Sequence, residues 1–203
     1  DYKRKGIEVN VDEILITNGS QQGLDLLGKV LLNERDEVLI EEPGYLGAIQ
    51  AFEVYLAKFT SIAVDQDGMD ISALKNALKT SKAKLMYTVP NFQNPSGISY
   101  TNENRQAVAD LLSKTKTLLI EDNPYGDLRF AGEEKTSFKS LLPEQTILLG
   151  SFSKIVVPSF RLGWIVAPKA LMEKLVIAKQ AGDLHSNYFC QRVLHRFLID
   201  NDL

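Results

Sequence analysis

The stretch QTILLGSFSKIVVPSFRLGWIVAP (residues 145–168) sets an apolar run on each side of a polar turn. QTILLG (145–150) and LGWIVAP (162–168) have the length and branched apolar content of buried strands, and both are too short for ordinary helices. Between them stand Ser151, Ser153 and Lys154, with Arg161 seven residues after the lysine. An ammonium group is costly to desolvate, and no carboxylate lies within residues 150–164 to compensate it. Lys154 therefore reaches solvent, uses its amine in covalent chemistry, or meets a bound anion. The stretch alone leaves all three open.

Outward from it, strand-like and helix-like runs alternate. EILIT (13–17), DEVLIEEP (36–43), AKFTSIAV (57–64), KLMYTVP (84–90) and KTLLIED (116–122) read as strands. Helices are expected in QQGLDLLGKVLLNE, with Leu24, Leu27 and Leu31 on one face, and in YLGAIQAFEVYL (45–56). DISALKNALKT (70–80) and NENRQAVADLLSKT (102–115) carry apolar residues at the same spacing, and 169–200 reads as two helices broken near Gly182. Strands alternating with helices predict an α/β fold with a largely parallel sheet. No repeat, low-complexity tract or linker divides residues 1–203, so one domain is expected.

Composition narrows the function classes. The 203 residues are 44% hydrophobic and 24% charged with a net charge of −3, which gives no basic footprint for nucleic acid or anionic membrane. No apolar run has the length of a membrane span. The single cysteine, Cys190, forms no internal disulfide, which points to a reducing, cytoplasmic setting. With only His185 and His195 beside it, a His/Cys metal site is not expected, and all three read as structural. Trp164 reads as core, and Glu41, Glu42 and Lys3-Arg4-Lys5 as solvated.

In open α/β sheets, ligands sit beyond the carboxyl ends of the strands. Those ends deliver Asn18-Gly19-Ser20-Gln21, Glu42-Pro43-Gly44-Tyr45, Asn94-Pro95-Ser96-Gly97, Asp122-Asn123-Pro124-Tyr125 and Ser151-Phe152-Ser153-Lys154. Ser20 and Gln21 begin a predicted helix, where free N–H groups and the dipole favour an anion. Each residue has a plainer reading. A lysine at a strand end snorkels, Arg161 pairs at the surface, Asp122 and Asn94 serve turns, Tyr45 and Tyr125 pack, and Ser20 caps a helix. Those plainer readings must all hold together, and in this order, to explain the set.

The ordered set NGSQQ, EEPGY, NPSG, DNPY and SFSK with its following arginine resembles the large domain of fold-type I pyridoxal-5'-phosphate (PLP) aminotransferases. Within that family it looks most like the 2-aminoadipate and kynurenine aminotransferase branch. The resemblance covers positions 18–163 and implies a three-layer α/β/α large domain with PLP as cofactor. It implies that Lys154 forms a Schiff base and shuttles the substrate's proton, and that Asp122 faces the pyridine nitrogen. Tyr125 and Asn94 would bond the phenolic oxygen, and Tyr45 would stack on the ring. Gly19, Ser20, Gln21, Ser151, Ser153 and Arg161 would hold the phosphate. A lowered amine pKa in a partly desolvated site is expected for Lys154.

The activity so implied moves an amino group from an L-amino acid of aminoadipate, aromatic or branched-chain type to a 2-oxo acid, in a homodimer. Three alternatives stay open: the effector domain of a winged-helix regulator, a PLP-dependent lyase or synthase, and a non-catalytic α/β binding domain. Family members run to about twice this length by the same resemblance. The chain therefore reads as a fragment without the N-terminal arm and the C-terminal small domain, weak in PLP binding and turnover.

Overall fold

A computed structural model describes residues 2–201. Its strands are β1 (Ile14–Thr17), β2 (Glu37–Glu42), β3 (Lys58–Asp65), β4 (Gly68–Met69), β5 (Leu85–Thr88), β6 (Leu118–Asp122), β7 (Thr146–Ser151) and β8 (Gly163–Val166). Its helices are α1 (Gly19–Leu31), α2 (Leu46–Glu53), α3 (Ile71–Thr80), α4 (Asn102–Leu112), α5 (Phe138–Leu141), α6 (Phe152–Ile155), α7 (Lys169–Asp183) and α8 (Tyr188–Asp200). The strands form one sheet in the order β1-β8-β7-β6-β5-β2-β3-β4. The central run from β7 to β3 is parallel, β8 is antiparallel to both its neighbours, and the two-residue β4 turns back on β3.

Side-chain parity along the strands builds the layers. Val38 and Ile40 of β2, Leu85 and Tyr87 of β5, Ile120 of β6 and Ile147 and Leu149 of β7 pack under α1, α2 and α7. The intervening Leu39, Met86 and Leu119 face the other way, against α3, α4 and α5. Strands buried on both faces are apolar at consecutive positions, which is why these runs lack a polar alternation. Local signals fix the helix starts: Asp70 accepts the N–H groups of Ser72 and Ala73, Thr101 that of Asn104, and Asn187 that of Cys190. The expected architecture, a three-layer α/β/α domain with a mostly parallel sheet, is the one observed.

The tail forms two helices broken near Gly182, as expected: α7 ends at Asp183 and the chain turns at Leu184 (φ 64°, ψ −61°). Other expectations need correction. Glu41 is not solvated but 1% exposed, and Lys5 is half-buried between Asp127 and Glu134. His195 is exposed on α8. Trp164 is half-buried, its ring 4.6 Å from that of Phe152, and it donates its indole N–H to Tyr2. No helix among the described residues is long and apolar enough to cross a membrane.

Candidate active site

The site lies at the carboxyl ends of the parallel strands, and strand parity decides which side chains reach it. Ile120 and Asp122 of β6 point to the α1 side, whereas Leu119 and Glu121 point to the α4 side. Of two adjacent acids, Asp122 alone is thus presented beneath α1. Asp122 is 2% exposed, and Tyr87, of the same parity on β5, donates its hydroxyl to Asp122 Oδ2 at 2.8 Å. Oδ1 is buried without a hydrogen-bond partner. Burial pushes this carboxyl up from 3.8 to about 7, the Tyr87 bond pulls it back, and the charge of Glu41 adds to the rise. A buried acceptor left bare is costly, so Oδ1 marks a place for a donor.

Beside it, the amino end of α1 forms a cradle. Gly19 has φ 77°, which only glycine adopts without strain, and a Cβ there would stand 2.5 Å from Arg161 Nη2. The guanidinium of Arg161, itself held at φ 51°, donates from Nη1 to Ser153 Oγ at 3.1 Å. Ser151, 5% exposed at the end of β7, caps α6 by accepting the N–H of Ser153 at 3.1 Å, which leaves its hydroxyl proton free to donate. Below the cradle passes Gly163 of β8. A Cβ on it would sit 2.8 Å from Ser20 N, so any larger residue would push β8 away from α1. The first N–H groups of α1, the guanidinium and two hydroxyls therefore lie together as groups that could hold an anion.

The remaining expected residues close around these two points. Lys154 is exposed, its Nζ 6.0 Å from the centre of the Tyr125 ring, so the protein itself does not desolvate the amine. Tyr45 is half-buried, and its hydroxyl holds its proton above the ordinary value, first through burial and then through the field of Asp122. Tyr125 adds to the rise and the Arg161 guanidinium opposes it. Asn94 stands half-buried in the loop after β5, at a cis bond to Pro95. Gln21 spends its side chain on the carbonyl of Gly47 (2.7 Å), so its contribution to an anion would come from the backbone. Asn18 and Gln22 of the same turn instead bond Asp183 of α7, and buried Lys179 joins both Gln22 and Asp183.

Sequence reasoning missed several members. Tyr87 looked like strand filler, although its parity with Asp122 was available as a signal. Arg105 of α4 is fully buried and donates to the carbonyls of Tyr100, Pro90 and Thr136 and to Asn91 Oδ1 at 2.7–3.2 Å. Asn91 passes that restraint to Asn123 Oδ1 (2.8 Å), which also accepts the N–H of Gly126. One guanidinium thereby ties the loop before Asn94 to the loop that follows Asp122 and carries Tyr125. No group of three or more His, Cys, Asp or Glu side chains suited to a metal occurs among the described residues.

The model of the family "Aminotransferase class I and II" matches residues 2–202. The aromatic-amino-acid aminotransferase 1 of Thermococcus litoralis is 40% identical over 97% of this chain and 48% of its own length. The 2-aminoadipate transaminase of Thermus thermophilus is 38% identical over 95% of this chain and 49% of its own. The kynurenine aminotransferase of Pyrococcus horikoshii, solved in complex with PMP, superposes with a TM-score of 0.93 at 42% identity. That match covers 98% of this chain and 51% of the archaeal one. YisV of Bacillus subtilis, an HTH-type transcriptional regulator, shares 33% identity over 93% of this chain and 39% of its own. The chain thus spans about half the length of the aminotransferases it matches.

Proposed function

Since the chain belongs to the class I and II aminotransferase family, we propose that it carries the cofactor site of a PLP-dependent aminotransferase. The substrates of this reading are an L-amino acid of aromatic, aminoadipate or branched-chain type and a 2-oxo acid, and the intact protein works as a homodimer. The observation that carries the reading is the bare, buried Oδ1 of Asp122 beside an anion cradle at the start of α1. A ring bearing an N–H at one end and a phosphate at the other suits that pair.

PLP, when bound, supplies an electron sink for the charge released at a substrate's α-carbon. The protein's part is to bind, orient and move protons. Asp122 would hold the pyridine proton, with Tyr87 fixing the carboxylate from Oδ2. Gly19, Ser20 and Gln21 would offer backbone N–H groups to the phosphate, with Ser151, Ser153 and Arg161 completing its shell. Tyr45 would cover the ring face, and Asn94 and Tyr125 would bond the phenolic oxygen. Lys154 would supply the amine that holds the cofactor's aldehyde and the base for the proton at the substrate's α-carbon. Its exposure leaves it free to reach a ligand.

The test is reduction of the PLP-treated intact protein with borohydride, followed by peptide mass analysis. The expected result is a phosphopyridoxyl group on Lys154, absent in Lys154→Ala together with transamination. Label on other lysines alone would refute the assignment. The likeness to YisV favours one second reading, in which the same site serves a regulator. A helix-turn-helix segment encoded in the full-length gene would decide for it.

A further inference from the structure

Glu41, the last residue but one of β2, lies on the α4 side of the sheet, opposite in parity to Asp122, and nothing in the proposed reaction uses it. Its Oε1 accepts three bonds, from the Thr88 hydroxyl (2.5 Å), the Tyr100 hydroxyl (2.7 Å) and the Val89 N–H (3.0 Å). Oε2 accepts from Gln93 Nε2 at 3.0 Å. Four donors and no acceptor surround it, which suits a carboxylate and not an amide.

Gln93, 1% exposed, carries this anchor across a gap. Its Nε2 also donates to the carbonyl of Pro43 at 2.7 Å, and its Oε1 accepts from the N–H (2.8 Å) and hydroxyl (2.6 Å) of Ser96. One side-chain amide therefore joins the segment leading into Tyr45 to the segment around Asn94. The Asn94 loop needs such a restraint, because Phe92 sits in the left-handed region (φ 49°), which a bulky residue keeps only when its surroundings over-determine it. Two short backbone bonds, Gln93 N–H to Ile98 O (2.8 Å) and Gly97 N–H to Gln93 O (2.6 Å), close the loop on itself but do not attach it to β2.

We propose that Glu41 is a positioning residue: acting through Gln93, its carboxylate locks the Asn94 loop to the Tyr45 loop. It thereby sets the spacing of the two side chains assigned to the cofactor's phenolic oxygen and ring. The proposal rests on the PLP reading above. It explains why an acid is buried where the reaction has no use for one.

The test exchanges the two partners in the intact protein. Glu41→Gln sets amide against amide, Gln93→Glu sets carboxylate against carboxylate, and the double exchange restores a donor facing an acceptor. Each single variant is expected to weaken PLP binding by about 10- to 100-fold, the range for a lost bond to a buried charge. Each also shifts the pH midpoint of the bound cofactor's visible spectrum and speeds deuterium exchange at the Gln93 and Gly97 amides of the cofactor-free protein. The double variant recovers part of each change.

Single variants that are less stable, yet keep the wild-type PLP affinity, spectral midpoint and exchange rates, would overturn the clamp alone. So would a double variant no better than the worse single. A wild-type protein that takes up no PLP overturns the underlying reading, and the clamp with it. Should the single variants fail to fold, Ser96→Ala, at an exposed position, removes the hydroxyl that donates to Gln93 at 2.6 Å, together with the longer 3.3 Å acceptor for the Ile98 N–H. A several-fold loss of PLP affinity with faster exchange at Gly97 supports the clamp, and no change in either overturns it.

Discussion

Replacing Asp122 by asparagine should stabilise the cofactor-free protein above neutral pH. Asp122 is 2% exposed, and its carboxyl is pushed from 3.8 to about 7, chiefly by burial. The folded state thus holds a proton that the unfolded state has released between those two values. Stability contributed by that proton is complete below pH 3.8 and lost as pH rises through about 7. Roughly three pKa units at about 1.4 kcal/mol each put the full cost of ionising this site near 4 kcal/mol. Water entry and relaxation make that an upper figure. Asparagine keeps the acceptor for Tyr87 and bears no charge to desolvate. Urea unfolding of cofactor-free protein at pH 5, 6, 7 and 8 should therefore show near-equal stabilities at pH 5. By pH 8 the asparagine variant should lead by about 1–2.5 kcal/mol, because the fall of about 1.4 kcal/mol per pH unit runs only from pH 5 to about 7 in this window. Glu41 and Glu121 are also raised by burial, but they are common to both proteins and cancel in the difference. With PLP the order inverts, because asparagine cannot pair with the pyridine cation, and affinity should fall by about 100-fold or more. A stability difference that stays constant from pH 5 to 8, or an asparagine variant weaker at pH 8, would refute the account of Asp122 as a desolvated acid awaiting a partner.

Three further predictions follow from the same contacts. Tyr87→Phe leaves both Asp122 oxygens bare, so it should raise the carboxyl further and cost about 1–3 kcal/mol above pH 7, measured in the same urea series. Arg105→Lys cannot reproduce a planar fork that serves four acceptors, and should cost about 3–5 kcal/mol; a loss under 1 kcal/mol by urea unfolding would count against the guanidinium as the tie between loops. Gly19→Ala and Gly6→Ala form a matched pair, since both have positive φ (77° and 68°) but only the first places its Cβ against another side chain, that of Arg161. Both should cost about 1–2 kcal/mol of backbone strain, while only Gly19→Ala should also lower PLP affinity, about 10-fold or more by titration.

The residues gathered at the strand ends were legible in the sequence because each follows an apolar run, and chain order plus a parallel sheet suffices to bring such ends to one rim. What stayed hidden depends on rotation about the strand and not on position along it. KTLLIED offers two acids side by side, and only the register of β6 against β5 and β7 turns Asp122 to the α1 face and Glu121 to Arg105. A slip of one residue would exchange them, setting a charge without its arginine on one face and an orphan guanidinium on the other. The same parity explains the error over Glu41. In DEVLIEEP the acids at 41 and 42 look alike, yet Glu42 is exposed while Glu41 continues the row of Leu39 into the α4 face. There it is tolerated because Thr88, Tyr100, Val89 and Gln93 all donate to it. Buried polar networks of this kind leave no local signature, since their donors come from residues 47 to 59 positions away in the chain. A pairing rule applied along the strands recovers part of it: every acid whose parity matches the apolar residues of a two-faced buried strand must have donors, and those donors should be sought at the ends of the adjoining strands. Among the buried acids of β2 and β6, which are Glu41, Glu121 and Asp122, Asp122 is the one whose donors among the described residues run out. Glu121 has one bare oxygen too, but it lies 4.0 Å from the Arg105 guanidinium, whereas among the described residues no cation answers Asp122. That difference is what separates an acid serving the fold from the acid proposed to meet a ligand.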